Sequence, residues 1–449
     1  MRQIQLLLLS SVCAAGAQVT LQQAVEQATQ QYPAVRAAME RTSAAAAGIR
    51  LARTSYLPRA DFLAQLNRAT HNNVFGMLLQ QPVISPISGP ALPLSANSVW
   101  GTATGVLVSW EPVDFGLRKA NVVIAEKERK RTEADTGWTR LQVGAAAADA
   151  FLTVLAAEQT VAAAKAGVER ARVLNQSVAA LVQADLRPGV EASRTRAELA
   201  VAETQLARAE QAAGEARAGL SQFLDAPPAG LELAAGSLLA RLPVEETPAA
   251  QPDAHPLAAV QTAAIDEVKA RQHALDRSYY PKFNLQATAY GRGTGIQPDL
   301  GPGGAASGLG PNHGNWAVGM TVLFNASDLA SLRARKEIES AREREETARY
   351  RQVVKDLSSQ AARARAAIDG ARKVAANTPA QLAAARATEQ QASARYKAGL
   401  GVITEVAEAQ RLLVQAEIDD ALAKLGVWRA LLQVAAAQGD LTTLLAQAR

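Results

Sequence analysis

The chain repeats itself, and the repetition limits its folds more than any single motif does. The stretch from Tyr32-Pro33 to Ser55-Tyr56-Leu57-Pro58 recurs as His255-Pro256 to Ser278-Tyr279-Tyr280-Pro281 with no gap, and Pro256 and Pro281 each stand 223 positions after their counterparts. Farther on the register becomes 214: Trp110, Pro112 and Asp114 match Phe324, Ala326 and Asp328, and Ala184, Leu186 and Glu191 match Ala398, Leu400 and Glu405. The nine-position difference falls between about residues 70 and 100, where His71-Asn72-Asn73 and the run Pro82 to Pro93 read as a loop able to absorb an insertion. One plan is built twice in a single chain.

Each copy changes its hydrophobic period in the same order. Short helical segments come first, over about 20 to 31, 34 to 56 and 256 to 278, with Pro33, Pro58, Pro256 and Pro281 at their ends. Period two follows. In Trp316 to Phe324 the large apolar residues stand on even positions with mostly small ones between, and Trp100 to Trp110 alternates in the same way. Weaker alternation at Phe62, Ala64 and Leu66, and at Phe283 and Leu285, completes a hairpin in each copy. Four strands of ~10 residues with an apolar face and aromatic ends carry the pattern of an outer-membrane barrel, the edge of a soluble sandwich being the alternative. They cannot close a barrel alone, and an open sheet would leave edge groups unpaired in lipid. A barrel therefore requires several protomers, and three copies would supply twelve strands.

Long helical arms come next, from about Asp114 to Ala184 and from Asp328 to Ala398, with a break or kink expected near Asn377-Thr378-Pro379. At ~1.5 Å per residue each arm would reach ~105 Å, several times an ordinary globular helix. Both arms run into reversals. The second, Arg395-Tyr396-Lys397-Ala398-Gly399-Leu400-Gly401, has glycines at 399 and 401 to permit the turn; the first, Ala184 to Glu191, has Asp185 in place of the first glycine and Gly189 four residues later. Heptads run out of both, through Leu199, Ala202, Leu206, Ala209, Ala213, Ala216, Leu220 and Phe223, and through Val414, Ile418, Ala421, Leu425, Trp428, Leu432 and Ala435. These seams predict antiparallel coiled coils.

The N-terminus reads as an export signal over residues 1–17: Arg2, an apolar run from Ile4 to Leu9, and Ala15-Gly16-Ala17 as a small-x-small site. The only cysteine, Cys13, lies inside this leader, and Ser10-Ser11-Val12 before it lacks the leucine and small residue of a lipidation site. The mature chain then holds no thiol, which excludes disulfides and thiolate metal sites. No later stretch is long and uninterrupted enough for a membrane-spanning helix. The formal charge of +5 comes from interspersed Arg and Glu, the pattern of a solvated helical face, and nucleic acid is not an expected partner. His71, His255, His273 and His313 lie in unrelated contexts without metal spacing, the Gly-rich run from Gly291 to Gly310 leads into prolines instead of a phosphate-binding helix, and no nucleophile, base and orienter set is visible. Neither an enzyme nor a cofactor site is expected.

Glu405 and Glu408, three apart on one helix face just after the second turn, remain as the informative charges. Repeated by rotational symmetry they would form carboxylate rings that attract cations. Acidic residues also favour the first turn of any helix through its dipole, so position alone leaves both readings open.

The sequence of hairpin, long helix, tip and return helix, with Ala398-Gly399-Leu400 followed by Glu405-Val406 and Glu408-Ala409-Gln410, resembles the TolC-like outer-membrane efflux proteins over essentially the whole mature chain. Thr20-Leu21-Gln22-Gln23-Ala24 and the run Trp110 to Arg118 belong to the same resemblance. It implies a mainly α protein with a membrane β-barrel part: two structural repeats, each a β-hairpin plus long antiparallel coiled-coil helices, assembled as a trimeric 12-stranded barrel that continues into an α-helical barrel. Repeat 1 would occupy 18–230, with strands at about 59–70 and 99–112 and a tip at about 184–191; a linker 231–254; and repeat 2 255–449, with strands at about 282–291 and 315–325 and a tip at about 398–404. The implied function is a passive exit duct of a tripartite efflux or type I secretion system, in the outer membrane and periplasm. Its implied partners are two further copies, outer-membrane lipid, a periplasmic adaptor and an inner-membrane pump. By motif position Glu405 and Glu408 would form the periplasmic gate, and Leu186, Gly189, Gly399 and Leu400 would dock the adaptor. The alternative is an exported coiled-coil tether that never spans a membrane.

Overall fold

A computed structural model describes residues 18–70, 97–244, 251–297, 299 and 301–448. The leader with Cys13 lies outside these residues, as does most of the loop expected to hold the nine-residue insertion. In order, the elements are α1 Leu21–Gln31, α2 Pro33–Thr54, β1 Arg59–Thr70, β2 Ser98–Trp110, α3 Leu117–Gln183, α4 Gly189–Ser221, α5 Pro256–Arg277, β3 Lys282–Thr294, β4 His313–Leu323, α6 Asp328–Lys397, α7 Ile403–Gln438 and α8 Thr442–Gln447. Two repeats of hairpin and long helices are thus present. The chain divides into two packed units. One draws on residues within 43–131 and 263–347, the other on residues within 1–42, 132–262 and 348–449.

The first of these units holds a four-stranded antiparallel sheet in the order β1-β2-β3-β4, so the central pair joins a strand of each repeat. Register sorts the faces. Phe62, Val106, Ala289 and Trp316 form one row, and Ala60, Val108, Ala287 and Val318 form another on the same face. Phe62, Trp316, Val318 and Met320 of this face are exposed, Phe62 and Trp316 at 84% and 78%. The opposite face carries Asp61, Gln65, Asn284, Gln286, Tyr290, Arg292 and Asn315. Within the described residues neither outer edge, β1 or β4, has a strand partner.

Where β2 enters α3, polar bonds hold the corner. Asp114 Oδ1 accepts from the Gly116 N–H at 3.2 Å, and Asp114 Oδ2 accepts from Arg118 Nε at 3.0 Å. The buried Arg118 also donates to the Ser55 and Glu111 carbonyls and stacks on Tyr56 at 5.2 Å. Burial alone would raise the Asp114 pKa, but these donors to the carboxylate hold it below its ordinary value. In the second repeat Leu332 stands in place of Arg118 and is buried as an apolar residue.

The other unit is built on the return helix of the second repeat. Trp428, Leu425 and Leu431 of α7 meet Phe151, Leu152 and Leu155 of α3, Leu21 and Val25 of α1, Leu220 of α4 and Ile368 of α6 in one core. Trp428 is 1% exposed and its indole N–H donates to the Arg241 carbonyl at 3.2 Å, so the ring is buried with its polar atom satisfied. Truncating such a residue to alanine costs about 3–5 kcal/mol. Part of α3 is apolar enough by composition to cross a membrane, but half of that window is buried within the protein and feeds this core. The heptad positions Ala209, Ala213 and Leu220 of α4 and Leu425, Trp428, Leu432 and Ala435 of α7 are buried. Arg170 of α3 pairs with Glu417 of α7 at 2.8 Å along the same seam.

Of the break or kink expected near residue 377, the break does not occur. α6 is a single helix of 70 residues with Pro379 inside it. Proline removes the N–H that would reach the Ala375 carbonyl and crowds that turn. Packing on α7 supports the rod on both sides: Ala375 against Ala423 and Val427 before the proline, Ala385 against Leu413 and Ala416 after it. Thr378 donates to Asp420 Oδ1 of α7 at 3.0 Å, and Gln381 reaches Asp419 at 3.1 Å.

His255 is a buried clasp. Its Nδ1 accepts from the Leu257 N–H at 3.1 Å while Nε2 lies 3.1 Å from the Ala436 carbonyl, which fixes the neutral Nε2–H tautomer. The start of α5 thereby closes on the end of α7, where Gly439, at φ +84°, leaves room for the Pro256 ring.

Candidate functional site at the helical tips

Both long helices end in the same backbone device. At the first tip the Leu186 N–H bonds the Leu181 carbonyl and the Asp185 N–H bonds Val182; at the second the Leu400 N–H bonds Arg395 and the Gly399 N–H bonds Tyr396. These are paired Schellman closures, each requiring one left-handed residue. Gly399 supplies it at φ +74° and Asp185, its counterpart in the repeat, at φ +55°. Asp185 therefore replaces the glycine without changing the turn, because a short polar side chain tolerates this conformation. Gly401 does not take a positive φ and the reversal does not depend on it. Its lack of a side chain admits Tyr396 N, Arg395 Cβ and Glu405 Oε2, each 3.3 Å from where a Cβ would stand.

The two tips are joined through Tyr396. Its hydroxyl donates to Glu191 Oε2 at 2.7 Å, and Arg187 stacks over its ring at 4.8 Å and donates to its carbonyl at 3.3 Å. Arg187 lies 3.9 Å from Glu191 Oε1, which completes a triangle. Beneath it Val178, Ile403 and Val406 form a small apolar core with the tyrosine ring. Burial first, then the bond to the Glu191 carboxylate, pushes the Tyr396 phenol up to about 12. The aromatic clasp was not visible from sequence. The signal was present as Tyr396 standing where the first copy has Val182, with Arg187 where the second has Gly401.

The carboxylates singled out from sequence behave differently from one another. Glu191, aligned with Glu405, is turned into the clasp, whereas Glu405 and Glu408 are exposed at the start of α7. Glu408 pairs with Arg411 at 3.2 Å, and Arg411 also approaches Glu198 at 3.7 Å. No ion pair reaches Glu405 among the described residues. Leu186 and Leu400 project at the two turns, 69% and 73% exposed, with Val190 and Val402 exposed beside them. Gly189 opens α4 behind Pro188, in open space. Among the described residues no group of His, Cys, Asp or Glu could hold a metal ion.

The model of the outer membrane efflux protein family matches residues 24–225 and 253–440, which together make up most of the chain. The chain belongs to that family. As an outer membrane efflux protein it shares its fold with solved channels of low sequence identity. The outer-membrane channel OprN is 21% identical, with 93% of this chain and 89% of that one covered and a TM-score of 0.71. The CmeC outer membrane channel of Campylobacter jejuni is 15% identical, with coverage of 93% and 85% and a TM-score of 0.75. The MtrE outer membrane channel of Neisseria gonorrhoeae, solved in an open state, is 18% identical, with coverage of 94% and 89% and a TM-score of 0.73. No curated protein sequence matches the chain.

Proposed function

We propose that this outer membrane efflux protein is the exit duct of a tripartite efflux or type I secretion system, conducting solutes without catalysis of its own. The carrying observation is the sheet: one face is exposed and apolar, the other polar, and both edges are unpaired within the described residues. In lipid such edges must be closed, and three copies joined β4 to β1 give a twelve-stranded barrel with the polar face inward. All four helices that meet the strands do so at the ends away from the β1–β2 and β3–β4 loops, so one end of the barrel leads into helices and the other to the outside. A coiled-coil tether in water has no use for exposed Phe62, Trp316, Val318 and Met320.

At the helical end, Glu405 forms the unpaired acidic ring of the entrance and Glu408 a second ring moderated by Arg411. Leu186, Gly189, Gly399 and Leu400, with exposed Val190 and Val402, dock a periplasmic adaptor, and an inner-membrane pump supplies the energy. Light scattering of the detergent-extracted protein is expected to give three copies per particle, and planar-bilayer recordings to give small cation-selective currents that lose selectivity in Glu405→Ala/Glu408→Ala. A water-soluble monomer would refute the duct, and selectivity unchanged in the double variant would refute the gate.

A further inference from the structure

On the polar face, charge gathers at the helix-joined ends of the strands, in Arg59, Asp61 and Lys282, and is sparse beyond them. From Phe62 to Trp110 the only ionised residue is Arg68, and from Phe283 to Ser327 only Arg292 and Asp299. Arg68 lies over the Trp100 ring at 5.2 Å, on the row that also holds apolar-face positions. Arg292 stands on the polar face, two residues before the loop end of β3. Register sets Gln65, Ala103, Arg292 and His313 side by side in one row across all four strands.

Among the described residues Arg292 has no ion-pair partner, and its Nε is buried without a hydrogen-bond partner. The other charged side chains near this face are engaged or apart. Asp61 lies in the row of Thr288, four residues before Arg292 in β3, and is paired with Arg59 at 2.9 Å. Asp299, in the loop, accepts from the Gly301 N–H at 3.2 Å. His313 contacts Asn312 Oδ1 at 2.6 Å, and Ala103 between Gln65 and Arg292 presents only a methyl group. A guanidinium keeps its charge at any working pH and offers several donors in one plane, so a row of this kind without an acceptor accommodates an anion.

We propose that Arg292, one from each protomer, forms an anion-binding ring near the outward mouth of the duct, flanked by Gln65 and His313, that receives phosphate, carboxylate or sulfonate groups of departing solutes. The inference rests on the duct reading, since only closure of the sheet brings three arginines around one axis. It gives the duct a basic ring at the mouth in addition to the acidic ring proposed at the tips. Side chains facing the lumen of a barrel set its selectivity, and rings of Arg or Lys favour anions.

The test is block of single-channel current by tripolyphosphate, in about 0.1 M KCl so that fields reach ~10 Å. Added on the loop side, tripolyphosphate is expected to reduce wild-type current, with much weaker block from the tip side. Arg292→Gln is expected to raise the half-blocking concentration at least about 10-fold, since it removes the guanidinium from all three protomers at once. Arg292→Lys, which keeps the charge, retains most of the block. Current in tripolyphosphate-free solution reports that each variant has assembled, and Arg292→Thr replaces Arg292→Gln if the latter does not conduct. Absence of block in the wild type, or equal block in the neutral variant, overturns the ring and leaves the duct standing. A wild-type protein that never conducts overturns the duct reading and the ring with it.

Discussion

Replacing Tyr396 by Phe removes one oxygen from the contact that joins the two tips and leaves the ring in place. Tyr396 is 4% exposed, and the Glu191 side chain it serves is 15% exposed, so little water stands ready to replace the lost bond. A hydrogen bond to an ionised carboxylate is worth about 1.5–3 kcal/mol when its partner is left behind. The phenol pKa of about 12 sets an independent bound. Two units above the ordinary value amount to ~2.7 kcal/mol in favour of the protonated phenol, and burial is the larger cause. The share of the bond is then under half of that, ~1 kcal/mol, a shift of ~5-fold from joined to parted tips. In planar bilayers Tyr396→Phe is expected to open more often than wild type by about that factor. Glu191→Gln should do the same, and the double variant should add little, because both remove one interaction. Alkali provides the same perturbation without mutation. A raised folded-state pKa contributes stability that is complete below about pH 10 and is lost as pH rises toward 12. Wild-type opening should therefore increase across that window and Tyr396→Phe should lack this component. Equal opening of wild type, Tyr396→Phe and Glu191→Gln at neutral pH would refute the clasp.

Three further outcomes follow from named contacts. Asp185→Gly, at a left-handed position, is expected to be neutral or to stabilise by up to ~1 kcal/mol, whereas Asp185→Val should cost more than ~1 kcal/mol; thermal unfolding in detergent ranks the two, and the reverse order would contradict the turn. Burial depresses the His255 pKa, so its contribution is present above about pH 6.5 and is lost as pH falls below that value. The wild type should lose more stability than His255→Asn between pH 7.5 and about 5, measured by the same unfolding assay. Thr378→Val leaves Asp420 with Lys424 alone, at 2.9 Å, and should weaken α6 around Pro379 by about 1–2 kcal/mol. Hydrogen exchange of residues 375–385 should accelerate, and Pro379→Ala in the same chain should restore protection; unchanged exchange would show that packing alone holds the rod.

The long-range plan was legible because repetition and period are properties of sequence. A change from helical to alternating spacing marked the hairpins, and heptads marked the seams that bury Leu220 and Trp428. Rules of local propensity failed at Pro379, where packing on α7 outweighs one missing backbone bond. They were also too strict at Asp185, since the turn needs a left-handed residue and glycine is only the commonest way to provide it. The tip clasp was hidden for a different reason. Tyr396 and Glu191 are 205 positions apart, and nothing in either neighbourhood announces the other. His255, read as incidental, likewise acquires its role only from the Ala436 carbonyl far along the chain.

The placement of Glu191 and Glu405 breaks a symmetry that the duplication would otherwise supply. Two equivalent repeats in three copies would make six like tips, but the first sends its carboxylate to the second's tyrosine and the second leaves its own in solvent. In a trimer, sixfold pseudo-equivalence would therefore fall to threefold, with two kinds of tip alternating around the axis. A docking ring of six identical subunits would have to adopt two conformations in alternation, while a ring of three could engage one kind and leave the other untouched. Which of two aligned glutamates is held in the clasp thus decides whether the two tips of one chain offer one kind of surface or two.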